Sequence, residues 1–214
     1  MPRTRNWIRK IVYLLVAIGF SCANAGSYEE FFEAIVRDDP VTVGRLAQRG
    51  VDPNSRDPKG QTALFVALQR DSLKAADALL ASATPDLNLL NDTGESALMM
   101  AALKGHAEWV RKLIERGAQV NKTGWTPLHY AATGPNPAVV QLLLDKGAAV
   151  DAESPNRTTP LMMAARYGSE AGVDVLLARG ADPKRTNDLG LSAADFARDA
   201  QRTALSARLA KLMR

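Results

Sequence analysis

Residues 124–132 read GWTPLHYAA, and variants of this stretch recur along the chain. The other copies are GQTALFVAL (60–68), GESALMMAA (94–102), RTTPLMMAA (157–165) and GLSAADFAR (190–198). Their third residues, always threonine or serine, are separated by 34, 30, 33 and 33 positions: Thr62, Ser96, Thr126, Thr159 and Ser192. Self-similarity at this period predicts a stacked repeat protein, in which each unit buries its apolar face only against its neighbours.

The third copy shows how one unit is expected to fold. Thr126 is a suitable helix N-cap, and Pro127 follows at the first helical position, where the missing N–H group costs little. Leu128 then turns into the core. A second helix is predicted to begin after Asn136 and to end at Gly147, in the left-handed conformation that follows many helices.

These motifs resemble the repeats of the ankyrin family. The family signature T-P-L-H-x-A is complete at Thr126, Pro127, Leu128, His129 and Ala131. The resemblance implies an all-α solenoid of helix–turn–helix units with β-hairpin or loop fingers. It predicts one domain over residues 26–214, with a half unit at 28–56 and repeats at about 57–90, 91–121, 122–153, 154–186 and 187–214.

The first 25 residues have the pattern of a cleavable signal peptide. A cationic head precedes the apolar run of residues 11–20, and Ala23 and Ala25 predict cleavage after Ala25. Ten residues of helix span about 15 Å, against about 30 Å of hydrocarbon. We therefore expect a periplasmic or secreted protein with no membrane span after cleavage. An uncleaved anchor and a lipoprotein acylated at Cys22 are the alternatives.

Signal cleavage changes the charge of the chain. It removes four of the 27 Lys and Arg residues and leaves 23, equal to the 23 Asp and Glu residues. A neutral protein lacks the excess of cations on which nucleic-acid binding depends, so no nucleic-acid partner is expected. The same cut removes the single cysteine.

Neither histidine predicts chemistry. His129 lies three residues after Thr126, where a side chain reaches back to the capping residue. The resemblance implies that it hydrogen-bonds within the repeat turn and that His106 belongs to a Gly-His pair between two helices. A zinc site needs three or four converging ligands, which the sequence does not offer. We predict no metal, no cofactor and no catalytic residue, and the resemblance implies no enzymatic activity.

The resemblance instead implies protein binding by a concave face of fingers and first helices. The family's contact positions correspond here to Lys59, Gln69, Arg70, Glu95, Leu103, Lys104, Trp125, Thr158, Arg166 and Tyr167. This mixture of both charges with aromatics favours a protein partner of unknown identity, bound by a chain that is a monomer when free. The alternatives are an inhibitor or immunity protein for a secreted or periplasmic enzyme and a lipid-anchored structural protein of the envelope.

Two departures from the repeat pattern stand out. The spacing of 30 before Thr126 predicts a finger three residues short, with Trp125 at its edge. Trp125 is either an interface hot spot or a side chain that folds over the short finger. Arg157 replaces the glycine of the other fingers, which predicts an altered turn or a strained left-handed residue. Trp109, in a second helix, is expected to pack in the core.

Overall fold

The computed structural model describes residues 26–82 and 84–214, which contain twelve helices and no extended strands. The predicted signal peptide lies outside the described residues. The helices are α1 (26–36), α2 (Pro40–Gln48), α3 (Ala63–Gln69), α4 (Leu73–Ser82), α5 (Ala97–Lys104), α6 (Ala107–Glu115), α7 (Pro127–Thr133), α8 (Pro137–Asp145), α9 (Pro160–Tyr167), α10 (Glu170–Ala178), α11 (Ala193–Asp199) and α12 (Thr203–Leu212).

The helices stack in two layers. From α3 onward, each odd-numbered helix contacts the next odd-numbered one, so α3, α5, α7, α9 and α11 form one layer. The even-numbered helices form the second layer, in which α2 packs on α4, α6 on α8 and α8 on α10. The predicted all-α solenoid is thus confirmed.

The first helices begin where the repeated Thr or Ser predicts. The hydroxyls of Thr62, Ser96 and Thr159 accept a hydrogen bond from the backbone N–H three residues later, at 3.3–3.4 Å. Each cap satisfies a donor that the first helical turn leaves without a partner. The fingers between units carry only isolated bridges, Arg56 with Thr62 and Thr186 with Ser192.

Glycines set the turns at the finger tips, and Arg157 is the exception. Gly60, Gly94, Gly124 and Gly190 have φ values of 72–80°, and Arg157 adopts the same left-handed conformation with φ at 60°. The strained alternative predicted for Arg157 is therefore the one observed. The Asn156 and Ser154 side chains bond to each other at 2.6 Å and both accept from the N–H of Thr158, which holds this turn in place.

Close backbone contact joins neighbouring units. A Cβ atom built on Gly168, just after α9, would lie 2.1 Å from the carbonyl oxygen of Ala132 in α7. The φ of Gly168 is −86°, a value open to any residue, so the position needs glycine for space and not for conformation. Arg202 then covers the end of α9 by donating to the carbonyls of Ala164, Ala165 and Gly168 at 2.9–3.0 Å.

Trp109 occupies the core position predicted for it. It is 7% exposed in α6, and the ammonium group of Lys112 lies 4.7 Å from its ring centroid. Its ring fills space that smaller residues fill in the other second helices, since the equivalent positions in α8 and α10 are Val139 and Gly172.

We predict that Gly168→Ala lowers the free energy of unfolding by about 1–3 kcal/mol, because the new methyl group forces α9 away from α7. Gly172→Ala is the matched control: it lies inside α10, where a Cβ meets its nearest neighbour, Ser169 Oγ, at 3.4 Å. Removing a helical glycine there is expected to raise stability by up to about 1 kcal/mol. Urea denaturation of both variants measures the difference, and equal stabilities would contradict the close-contact explanation.

Candidate protein-binding surface

The described residues hold no group of three or more His, Cys, Asp or Glu side chains placed to bind a metal ion. None of the helices in residues 26–82 and 84–214 is long and apolar enough to cross a membrane. The features that distinguish the described surface are two depressions on the side of the first helices.

The first depression, which we call the central groove, lies between the ends of α5, α7 and α9. It has a volume of about 210 Å³ and is lined by Leu103, Trp125, His129, Tyr130, Thr133 and Met163. Of the residues predicted from the sequence to contact a partner, it brings together Leu103 and Trp125. Its walls are almost entirely apolar, which suits the insertion of an apolar side chain.

Trp125 packs over the short finger and also remains accessible. Its ring stands edge-on to the buried ring of His129, with centroids 5.2 Å apart and planes at 76°. The short finger beside it is closed by Lys122, whose ammonium group donates to the carbonyls of Thr123 and Trp125 at 3.0 and 3.1 Å. Trp125 is thus fixed by packing, yet it remains half-buried and forms one wall of the central groove.

His129 braces the floor of the central groove. Its Nδ1 lies 3.2 Å from the backbone nitrogen of Thr126 and 2.9 Å from the Thr126 hydroxyl, and its Nε2 lies 2.9 Å from the carbonyl oxygen of Thr158. Because Nδ1 accepts from a backbone N–H, the ring proton sits on Nε2 and is donated to Thr158. Burial, with a smaller contribution from the charge of Lys122, lowers the pKa of His129 to about 4. The imidazole is therefore neutral at physiological pH, with both nitrogens occupied.

Glu95 holds Tyr130, another residue of the central groove, in place. Its carboxylate accepts hydrogen bonds from the Tyr130 hydroxyl at 2.7 Å, from Asn91 Nδ2 at 2.9 Å and from the Thr93 hydroxyl at 2.7 Å. Burial alone would raise the pKa of Glu95, but these three donors hold it below the ordinary value. Burial and the neighbouring carboxylate raise the pKa of Tyr130. Glu95 therefore orients the Tyr130 ring against the groove.

Among the other predicted contacts, Lys104 is held in an ion pair, whereas Tyr167 is exposed. Lys104 pairs with Asp71 at 2.7 Å, and His106 bonds to the other oxygen of the same carboxylate at 2.7 Å. The Arg166 guanidinium lies 5.3 Å from the ring of Tyr167, which is 57% exposed.

Three further predicted contacts lie nearer the amino end of the surface. Lys59 and Arg70 are exposed and have no ion pair or side-chain hydrogen bond within the described residues, and Gln69 is half-buried beside Arg70.

Thr158 is a wrong prediction as a partner contact. It is only 2% exposed, its N–H donates to Ser154 Oγ at 3.0 Å, and its carbonyl accepts from His129. The longer fourth finger folds Thr158 under the third unit, so this residue joins two repeats and cannot face a partner.

The second depression, which we call the amino-terminal trench, lies between α1, the first finger and α3. It has a volume of about 520 Å³, and its apolar lining includes Tyr28, Phe32, Val36 and Val66. None of these four residues belongs to the surface predicted from the family pattern. The spacing of Tyr28, Phe32 and Val36, four residues apart, places them on one face of a helix and is the signal that could have identified them.

Comparisons with known proteins agree with this architecture. The family described as ankyrin repeats (3 copies) matches residues 31–123 and 119–187. The B-cell lymphoma 3 protein homolog of Mus musculus is 36% identical over 156 residues, which cover 70% of this chain and 35% of the mouse protein. The chain therefore spans about a third of that relative.

Two solved structures superpose on most of the chain. One belongs to the complex of the predatory endopeptidase Bd0816 from Bdellovibrio bacteriovorus with the immunity protein Bd3460. It is 30% identical with a TM-score of 0.72 and covers 85% of this chain and 97% of that one. The human ASB11 ankyrin repeat domain is 28% identical with a TM-score of 0.73 and covers 85% of this chain and 81% of that one.

We predict that His129→Met makes stability less dependent on pH. The pKa of His129 is about 4 in the folded chain and about 6.5 in the unfolded one, so its contribution is complete above pH 6.5 and disappears as the pH falls toward 4. This difference corresponds to roughly 3 kcal/mol. Methionine is the natural substitute, because the sulfur atoms of Met99 and Met162 lie 3.4 Å from the equivalent capping N–H groups.

At pH 7.5 the variant should be less stable by about 1–2 kcal/mol, since the carbonyl of Thr158 loses its donor. The gap should close near pH 5 and reverse by pH 4, because protonation of His129 in the unfolded chain removes roughly 3 kcal/mol from the wild-type protein alone. Chemical denaturation across this range measures the gap, and a gap that stays constant would contradict a neutral, buried His129.

Proposed function

This chain belongs to the ankyrin-repeat family, and from that premise we propose that it is a protein-interaction module that binds a partner protein through its concave face, with no catalysis of its own. The central groove is the proposed anchor point. The proposed setting is the bacterial envelope, reached by export and cleavage after Ala25, with the chain a monomer when free.

The main support for the proposal is that the central groove is apolar and that its lining residues are held in place by hydrogen bonds. A half-buried tryptophan lines an apolar depression in which Lys122 holds the backbone of Trp125 and Glu95 holds the ring of Tyr130. Tryptophan and tyrosine are frequent hot spots, and a rigid site loses little conformational entropy on binding.

The chemistry of the groove also favours binding over catalysis. The imidazole of His129 is buried, neutral and hydrogen-bonded at both nitrogens. A general base must reach a substrate proton with a free nitrogen, which His129 cannot do without breaking the repeat turn. Glu95, the carboxylate nearest the groove wall, already accepts three side-chain hydrogen bonds.

The location rests on the amino-terminal sequence alone. Residues 1–25 combine a cationic head, a short apolar run and a small-x-small cleavage pattern. Intact-mass measurement of the exported protein tests this proposal: an amino terminus at Gly26 supports cleavage, whereas a lipid-modified Cys22 would favour the anchored alternative.

A second candidate function is inhibition of a secreted or periplasmic enzyme. The similarity to a chain of the endopeptidase–immunity protein complex favours it, because the match covers 97% of that chain and leaves no large domain of it unmatched. An inhibitor and a scaffold both require a protein-binding face, so the two functions differ in what binding does to the partner.

We predict that Trp125→Ala weakens partner binding by at least about 2 kcal/mol, or about 30-fold in Kd, as truncation of a central hot spot does. The partner is first captured from the native envelope by cross-linking to the wild-type protein, and its affinity is then measured by calorimetry. Val41→Ala is the control, because Val41 is 77% exposed on α2 and lies outside both depressions. An unchanged affinity for a folded Trp125→Ala variant would overturn the central groove as anchor.

The inhibitor function predicts a further result for the same captured partner. If that partner is a hydrolase, wild-type protein should abolish its turnover in stoichiometric amounts, and Trp125→Ala should restore it. A captured enzyme that remains fully active in the complex would reject inhibition and leave the scaffold function standing.

A further inference from the structure

The amino-terminal trench lies outside the central groove, and its chemistry is different. We propose that it is a docking site for an acidic segment of a partner protein, which places an apolar side chain against Phe32, Val36 and Val66 and a carboxylate against Arg70. The proposed function enters this inference at one point only, the assumption that the partner is a protein. It concerns a separate surface that can bind independently of Trp125.

The floor of the trench is apolar. Phe32 is 9% exposed and Val66 is 4% exposed, so they form a fixed surface, whereas Val36 is 49% exposed at the open edge. Tyr28 stacks at a tilt on Phe32, with ring centroids 5.2 Å apart. The exposed side chain of Val36 adds apolar surface beside this floor. An inserted apolar side chain would remove that surface from water.

The end of the trench near the first finger holds more carboxylates than cations. Lys59 lies there with two carboxylates, those of Asp57 and Glu29. Asp57 accepts the N–H groups of Lys59 and Gln61 at 2.9 and 2.8 Å, and its charge adds to burial in raising the pKa of Tyr28. The start of α1 therefore faces the finger, and the two carboxylates there outnumber the one cation, so this end does not attract a carboxylate.

The opposite end of the trench carries an unpaired cation. Arg37 pairs with Glu33 at 2.9 Å, which neutralises both. Arg70, the residue that ends α3, is exposed and makes no ion pair or side-chain hydrogen bond to any described residue. An exposed guanidinium group without an ion pair can bind a carboxylate through two parallel hydrogen bonds. The trench thus offers an apolar floor with one positive end.

This charge distribution favours a protein segment over a nucleic acid. A phosphate backbone requires a row of cations, whereas the trench alternates Lys59 and Arg70 with Glu29, Glu33 and Asp57. A ligand that matches the trench has one carboxylate next to one or two apolar side chains. An acidic peptide that contains leucine or phenylalanine offers both groups.

The test uses two capped tetrapeptides, Glu-Leu-Phe-Glu and its neutral counterpart Gln-Leu-Phe-Gln, titrated into the full chain and followed by amide NMR. We expect the acidic peptide to bind at least about threefold more tightly and to shift residues 28–37 and 64–71. Arg70→Glu and Val36→Glu should each weaken it by at least about threefold. The matched controls are Arg49→Glu and Val41→Glu, which make the same changes at exposed positions of the α2 segment and should have no effect.

Equal affinity for the two peptides, or shifts confined to the central groove, would overturn the inference. Shifts in the trench that grow with protein concentration before peptide is added would also overturn it, since they would identify a second copy as the occupant. The inference and the proposed function fail separately. Trp125→Ala should leave peptide binding intact, and Val36→Glu leaves the central groove complete.

Discussion

The structure depends on the stacking of the first helices, each of which is buried only by the units before and after it. The helices approach so closely that the carbonyl of Ala132 occupies the space where Gly168 would otherwise carry a Cβ atom. Alanines at 101, 131 and 164 are at most 1% exposed and allow the same approach in successive units. Because each unit is buried only by its neighbours, a single unit is not expected to be stable alone.

The same constraint separates residues that hold the stack from residues that are free to bind. His129 holds the stack together, because its ring joins the turn of its own unit to the finger of the next. Trp125, only four residues earlier, has a surface that is free to contact a partner. It rests on that brace and still lines the central groove. If Trp125 binds a partner as proposed, so rigid a support keeps it in position before the partner arrives, which favours affinity and specificity.

Much of the fold could be predicted from the sequence, because its determinants are local. The Thr or Ser caps, the proline after two of them and the glycines of the fingers act within a few residues, and the first helices begin where they predict. Thr158 was misplaced because its burial depends on His129, 29 residues earlier, and on the longer finger around it. The closure of the short finger by Lys122 also could not be anticipated, since it replaces a backbone bond with a side-chain ammonium group. Lys59 and Arg70 of the amino-terminal trench were among the predicted contacts, but its apolar floor was missed. The family pattern directs attention to fingers and helix ends, whereas the floor comes largely from α1, which precedes the first full repeat.

We propose that a partner protein covers the concave face at the central groove. Hydrogen–deuterium exchange of the full chain, with and without its captured partner, can locate the covered surface. We expect slower exchange on binding in α5, α7 and α9 and in the short finger at residues 121–125, with α6, α8 and α10 unchanged. Protection confined to α6, α8 and α10 would contradict it, because the partner would then bind the opposite layer of the solenoid.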